Sequence, residues 1–416
     1  MGDILHALPA VTALRQTHPG WIIDWVVEPR WRALLVSDGS TGRHAGLHAR
    51  GPNPAQPIVD NIHLAPTRDW RKSPFSRETR RGVSQLRQAL RAGNYDTVID
   101  LQGAVRSAVV GRLTGCQRLI GEEHPREKAA RMLFTERVET ESGHVIEQDV
   151  ELVSAIAGDD LKAGTPWLPI DPAAEIWAEN LVARGPGRPM ALVNPGAGWG
   201  AKRWPVERYA EVACGLMDRG MRVLVNAGPG EEPLAQELVA ATAGRAETMV
   251  PTLAQLIAVA RRVALCVAGD TGPMHLACAL GRPVVGIYGP TDPSRNGPYG
   301  TRFKVLRSPL SRRDHTRHTE PEAGLLTITP EAVLKAADEL LAEENALLIK
   351  RQVHRNSTHS STRDQIGLPA GSVWRGGFAC PWAFSPRDFT FLSLHGAHRS
   401  LRQWHGAWRW CCRGCG

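Results

Sequence analysis

The stretch "VAGDTGPMHLACALGRPVVGIYGPTDP" (residues 267–293) contains two apolar runs on either side of a helix-like segment. The first run ends at Asp270, a turn follows, and a helix is predicted to begin near Gly272, with Asp270 or Thr271 as its cap. Strand, turn, helix and strand in this order are typical of a parallel sheet covered by helices. The N–H groups at the start of such a helix suit an anion such as a diphosphate. An ordinary capped turn gives the same pattern, so this loop alone leaves both interpretations open.

The same alternation extends through the second half of the chain. Apolar runs predict strands at 190–196, 222–228, 264–270 and 283–289, with intervening helices that start near Pro205, Glu231, Leu253 and Gly272. Thr329 and Pro330 are typical of the N-cap and first position of a last helix. Ligands of such sheets bind at the carboxyl ends of strands, so the loops that follow each strand are the candidates for a site.

Two further strand-to-helix loops in this half suit a nucleotide. "NPGAGWGAKRWP" (194–205) is rich in glycine, which allows close approach to a ligand, and places Lys202 just before a helix start. In "NAGPGEEPLA" (226–235), Glu231 either complements the helix dipole or accepts hydrogen bonds from a ribose diol. Because no G-x-G-x-x-G fingerprint follows a first strand, we expect no redox cofactor. Three such loops in one domain predict a nucleotide diphosphate ligand.

The first half shows the same α/β pattern, and a proline-rich segment separates the two halves. Strands are predicted at 21–27, 61–66, 97–103 and 118–121, and helices at 4–17, 77–93, 104–114 and 145–157. "KAGTPWLPIDP" (162–172) contains three prolines and is typical of a linker. We therefore predict two α/β domains facing a cleft, one over 1–165 and one over 173–345.

The first domain is predicted to hold the second substrate. Its segment "TRDWRKSPFSRETRR" (67–81) is densely charged, and such a segment either forms one face of a solvated helix or contacts an acidic substrate. The candidate residues on this side are Asp3, His6, Arg68, Arg71 and Lys72.

The net charge of +8 belongs almost entirely to the C-terminal segment. Residues 351–416 contain nine Arg, no Lys and two acidic residues, which leaves +1 for 1–350. A nucleic-acid-binding protein is expected to carry basic patches over its folded body, so we expect no nucleic-acid partner. The segment also holds five of the 13 Trp without periodicity. An unfolded tail is favoured over one that binds anionic lipid or nucleic acid.

Metal, secretion and membrane signals are weak throughout the sequence. The cysteines of "CCRGC" (411–415) match no standard zinc spacing, so no metal is expected. No apolar run reaches the ~18 residues of a membrane-spanning helix, and no charged-then-apolar leader opens the chain. We expect a cytoplasmic protein.

Six motifs occur in order from residue 1 to about 345. They are "MGDILHALPAV", "WVVEP", "VIDLQG", "NPGAGWGAKRWP", "AGDTGPMHLACALGRPVVGIYGPTDP" and "ITPEAVLKAADELL". Together they resemble the bacterial heptosyltransferases of glycosyltransferase family 9, especially the heptosyltransferase I type. The resemblance implies a GT-B architecture of two Rossmann-like domains. It also implies a strand before "MGD", so we expect the sheet of the N-terminal domain to lack its first strand.

The resemblance further implies a reaction and its partners. The reaction is the inverting, metal-independent transfer of L-glycero-D-manno-heptose from ADP-heptose to Kdo of lipid A, at the inner face of the inner membrane. Two alternatives remain open. One is a heptosyltransferase II-like transfer to a heptose already in place, and the other is a non-catalytic nucleotide-binding protein.

The same resemblance implies roles for the candidate residues. Asp3 matches the family's proposed general base, Lys202 matches a lysine that contacts donor phosphate, and Glu231 matches a ribose-binding glutamate. His6 lies on the acceptor side, where the family places basic residues against an anionic acceptor. The matching basic residues are Arg68, Arg71 and Lys72, and the donor loop comprises Asp270, Thr271, Gly272, Pro273, Met274 and His275.

Overall fold

The computed structural model describes residues 1–37, 53–314, 318–344 and 346. These residues belong to one compact unit that spans Met1–His354. The tail predicted over 351–416 lies outside the described residues. No helix within the described ranges is long and apolar enough to cross a membrane.

The first half of the described chain contains short parallel strands covered by helices. Its strands form two separate sheets, β1–β2 and β3–β4–β5, rather than one continuous doubly wound sheet. The elements are α1 (Gly2–Thr17), β1 (Asp24–Val27), β2 (Asn61–Leu64), α2 (Thr67–Lys72), α3 (Arg77–Ala92), β3 (Val98–Asp100), α4 (Val105–Leu113), β4 (Leu119–Glu122), β5 (Glu136–Val138) and α5 (Val145–Ala157).

Helix α1 is buried around most of its circumference, as expected of a helix that is apolar on all sides. Ala10 and Leu14 pack against Val153 of α5. Leu5 and Leu8 join a larger hydrophobic core that includes residues of the second half of the chain. Helix α1 therefore lies between the two halves and brings its first turn to their boundary.

The second half is built on one six-stranded parallel sheet. The strand order is β11–β10–β9–β6–β7–β8, and β6, β7, β9 and β10 are completely buried, as strands covered by helices on both faces should be. The elements are α6 (Pro172–Ala183), β6 (Met190–Asn194), α7 (Val206–Asp218), β7 (Arg222–Asn226), α8 (Glu232–Ala241), β8 (Glu247–Met249), α9 (Leu253–Ala260), β9 (Leu265–Gly269), α10 (Gly272–Ala279), β10 (Val284–Tyr288), α11 (Pro293–Asn296), β11 (Phe303–Arg307) and α12 (330–344).

All eight predicted strands and the predicted helices are confirmed, with small changes at their ends. Thr329 caps α12 as expected, because its Oγ1 accepts a hydrogen bond from the N–H of Ala332 at 3.3 Å. The winding of the sheet reverses between β6 and β9, and this switch point is where a doubly wound sheet opens a crevice at its carboxyl end.

Candidate active site

Side chains at the carboxyl ends of three adjacent strands are joined by hydrogen bonds. Asn226, at the end of β7, donates from Nδ2 to Oδ1 of Asn194, at the end of β6, over 2.7 Å. Asn194 donates in turn to Oγ1 of Thr271, just after β9, over 3.4 Å. Both asparagines are almost fully buried. The three loops predicted to bind a nucleotide therefore meet at one edge of the sheet, which we call the donor rim.

Lys202, Asp270 and His275 form a buried network on the donor rim. Nζ of Lys202 lies 2.5 Å from Oδ2 of Asp270, and Nε2 of His275 donates to Oδ1 of Asp270 over 3.0 Å. Burial alone would raise the pKa of Asp270, but His275 and the Lys202 ammonium outweigh it and hold that pKa well below its usual range. Asp270 is thus a permanent carboxylate with both oxygens engaged, so it orients Lys202 and His275.

The start of α10 differs in two ways from its prediction. Thr271 occupies the N-cap position, but its hydroxyl donates to the carbonyl of Gly269 at 3.2 Å and makes no capping bond to the helix. The predicted N-cap position of Thr271 is confirmed, but its side chain makes no capping bond. The side chain of Met274 is fully buried, with the Tyr288 hydroxyl 3.5 Å from its sulfur, so its thioether faces the core while its backbone lies in the first helical turn. Pro273 occupies the same turn.

Glu231 lies at the other end of the donor rim, at the N-cap of α8. Its Oε2 accepts a hydrogen bond from the N–H of Gly228 at 3.1 Å. A Cβ added at Gly196 would lie 2.2 Å from the same oxygen, so the glycine leaves the space that the carboxylate occupies. The Glu231 carboxylate is thereby packed against the loop that follows β6.

The first turn of α1 lies directly against the start of α10. A Cβ added at Gly272 would come within 2.6 Å of the Met1 sulfur, and one added at Gly2 would lie 3.7 Å from the His275 ring. Asp3, the next residue, keeps about half of its side chain exposed (52 %). The predicted base therefore lies within one helical turn of the donor rim.

His6 is buried between α1 and the donor rim, and its contact with an acceptor stays a prediction. Its side chain is 8 % exposed, and its Nε2 lies 3.2 Å from Nδ1 of His275. Because Nε2 of His275 donates to Asp270, a neutral His275 accepts at Nδ1 and His6 donates. His6 therefore connects α1 to the donor rim.

The basic candidates lie on the exposed surface of α2, apart from the donor rim. The N–H of Arg68 donates to Oε1 of Glu28 at 3.0 Å, and Lys72 pairs with Asp69 at 3.1 Å. Arg71 is exposed as well. Exposed pairs of this kind contribute at most about 1 kcal/mol to stability, so these side chains are available to a ligand. Their contact with an acceptor stays a prediction.

Comparison with known proteins decides the family. Residues 83–325, more than half of the chain, match the family model of glycosyltransferase family 9 (heptosyltransferase). The chain belongs to glycosyltransferase family 9. Lipopolysaccharide heptosyltransferase 1 of Escherichia coli (strain K12) is 33 % identical to this family 9 enzyme over 82 % of this chain and 97 % of its own length. Lipopolysaccharide heptosyltransferase 2 of the same organism is 32 % identical over 44 % of this chain and 55 % of its own length.

A solved structure supports the same assignment. The structure of the E. coli heptosyltransferase WaaC with ADP has a TM-score of 0.64 and 29 % identity to this chain, and covers 82 % of this chain and 97 % of its own. The predicted GT-B architecture of the family 9 enzyme is confirmed by this match. The domain limits 1–165 and 173–345 stay predictions.

Three polar residues of the family 9 site were not singled out from the sequence. Asn194 could have been identified from the sequence, because it ends a strand whose following loop was predicted to bind the nucleotide. Gln102 and Arg126 are far from Asp3 in the sequence, and folding brings them into contact with it. Oδ2 of Asp3 accepts a hydrogen bond from Nε2 of Gln102 at 2.9 Å and lies 3.5 Å from Nη1 of Arg126.

The His6–His275 contact of the family 9 enzyme should make its stability depend on pH. Burial, then the neighbouring His275 and His144, lower the pKa of His6 well below its ordinary value of 6.5, and Asp270 opposes this only in part. The unfolded chain binds a proton at His6 below pH 6.5 that the folded chain does not. Stability is therefore complete above pH 6.5 and falls by up to about 1.4 kcal/mol per pH unit below it.

Thermal unfolding between pH 5 and 8 measures this effect. His6→Gln should flatten the acid limb of the melting-temperature curve, whereas His124→Gln, at an exposed histidine paired with Glu139, should leave it unchanged. Parallel curves for the parent and His6→Gln would contradict the assignment.

Proposed function

We propose that this glycosyltransferase moves L-glycero-D-manno-heptose from ADP-heptose to Kdo of lipid A in lipopolysaccharide inner-core synthesis. One observation carries the proposal: the half-exposed carboxylate of Asp3 lies within one helical turn of the donor rim, where three strand-to-helix loops meet. A family 9 relative of the type 1 group matches almost its full length to this chain, which supports the choice of donor and acceptor.

The donor rim supplies positive charge where the leaving group would gain negative charge. The diphosphate would lie at the start of α10, against the backbone of Gly272, with the Lys202 ammonium beside it. Lys202 is already held by Asp270 and lies over the Trp199 ring at 4.4 Å, so little reorganisation is needed when charge develops. Glu231 would accept hydrogen bonds from the ribose diol. We propose that the transfer needs no metal on this account.

Asp3 would act as the general base. The acceptor hydroxyl oxygen attacks the anomeric carbon from the face opposite the diphosphate, the bond between that carbon and the phosphate oxygen breaks, and the configuration inverts. Asp3 takes the hydroxyl proton, and ADP leaves. The transfer is thus one displacement with one proton moved.

The acceptor would approach from the side of α2. Exposed basic residues there suit the carboxylates and phosphates of a Kdo–lipid A molecule. Since that acceptor is a lipid, we propose transient contact of this side with the inner face of the inner membrane.

Release of ADP from ADP-heptose tests the function. We expect turnover with Kdo–lipid A and none with buffer alone. Turnover only on an acceptor that already carries heptose would instead favour the heptosyltransferase II-like alternative. Calorimetric ADP binding without turnover on either acceptor would favour the non-catalytic alternative. A protein that shows no ADP binding and no turnover would overturn the proposal.

A further inference from the structure

We propose that Gln102 is a positioning residue for Asp3, fixed in its turn by the buried carboxylate of Asp100. The inference rests on the proposed function, because it takes Asp3 as the base.

The turn after β3 is held in one conformation by Asp100. Oδ1 of Asp100 accepts hydrogen bonds from the N–H groups of Gln102 (2.9 Å) and Gly103 (3.1 Å), and Oδ2 accepts from the Ser107 hydroxyl (2.9 Å). Asp100 itself is 6 % exposed. A buried carboxylate that accepts three such hydrogen bonds fixes the backbone of the turn.

Gly103 tightens the turn further. Its φ of +61° favours glycine, and a Cβ there would lie 3.0 Å from the backbone nitrogen of Arg126. The loops after β3 and β4 are therefore packed backbone to backbone. The position from which Gln102 extends is set by main-chain contacts.

From this fixed turn Gln102 reaches one oxygen of the proposed base. Nε2 of Gln102 donates to Oδ2 of Asp3 at 2.9 Å. A bond to one oxygen restrains rotation of the carboxylate and leaves Oδ1 for the acceptor hydroxyl. The amide carries no net charge, so it holds the carboxylate by one directed hydrogen bond and adds no charge beside it.

Charged groups face Asp3 as well. Each of them acts at longer range than Gln102 or from the solvent-exposed surface. Arg126 lies 3.5 Å away with both side chains exposed, and the amino group of Met1 and the buried Asp149 of α5 interact with Asp3 electrostatically. Gln102 is the uncharged group among these contacts, so its removal changes the geometry of Asp3 while the surrounding charges stay in place.

Two substitutions of Gln102 separate positioning from a merely structural role. Gln102→Met keeps the length of the side chain and removes the donor, and we expect kcat to fall about 10- to 100-fold with both KM values nearly unchanged. Gln102→Glu creates a carboxyl pair with Asp3 that works only while the two share one proton. Its kcat should therefore peak at acid pH and fall at high pH, where the parent reaches its plateau.

Exposed Gln88 of α3 provides the matched controls Gln88→Met and Gln88→Glu. Both should keep the kcat and the pH profile of the parent. Melting temperatures of all four variants verify that they are folded.

The outcomes distinguish this inference from the proposed function. If Asp3→Asn is inactive while Gln102→Met and Gln102→Glu keep the parental kcat and pH profile, the positioning role is overturned and the base stands. If Asp3→Asn remains active, the base assignment itself fails. A Gln102→Glu enzyme with an acid optimum, next to an unchanged Gln88→Glu enzyme, supports the inference even if Gln102→Met is poorly folded.

Discussion

Asp3→Asn should lower kcat for heptose transfer about 1,000-fold, within the range that general base catalysis contributes. Asparagine has nearly the shape of aspartate and still offers an oxygen to Nε2 of Gln102, so the first turn of α1 should keep its position. It cannot take a proton from the acceptor hydroxyl. Both KM values should stay close to those of the parent, because Asp3 is proposed to act in the transition state.

Steady-state ADP release with saturating ADP-heptose and Kdo–lipid A measures this loss. The matched control is Asp160→Asn, at an exposed aspartate paired with Lys162, and it should behave as the parent. An Asp3→Asn enzyme within about threefold of the parental kcat would rule out Asp3 as the base.

Lys202→Met should have the second large effect, on both activity and stability. Loss of the ammonium beside the leaving diphosphate should reduce kcat about 100- to 1,000-fold and raise the KM for ADP-heptose. Asp270, only 9 % exposed, would keep His275 and lose its other partner. We expect a loss of about 1–3 kcal/mol in the free energy of unfolding.

A double variant separates these two effects. Lys202→Met with Asp270→Asn removes the buried charge and should recover part of the lost stability, while kcat stays low. Lys304→Met, which removes a partly exposed lysine of β11 paired with Glu339, is the control and should alter kcat little. Recovery of kcat in the double variant would show that Lys202 acts on the fold and not on the leaving group.

The sequence predicts the second half of this fold well because its strands are buried on both faces. Continuous apolar runs such as β6 and β9 then stand out, and the glycine-rich loops that follow them mark the donor rim. The strands that were not predicted, β5, β8 and β11, are edge strands of three to five residues with exposed positions. Their patterns are too short and too polar to differ from loops.

Three other helices were missed for local reasons, and the shortest of them is α11, with four residues. Helix α6 follows Asp171 and Pro172, which are N-cap and first-turn signals, but the prolines around them favour a linker. Helix α2 has only six residues and no buried side chain.

The site residues also divide into those that the sequence could predict and those that it could not. Lys202, Asp270 and His275 are predictable because they end strands or begin a helix on one rim. The burial of His6 against His275 and the approach of Gln102 to Asp3 join positions 269 and 99 residues apart, and only packing determines such contacts.

The histidine pair couples the position of α1 to the side chains of the donor rim. Any hinge opening that separates the halves at α1 must first part His6 from His275, whose other ring nitrogen is bound to Asp270. Asp270 in turn holds Lys202. A displacement of α1 relative to α10 would therefore reach Asp270 and Lys202 through the two imidazole rings, without any other group moving in between.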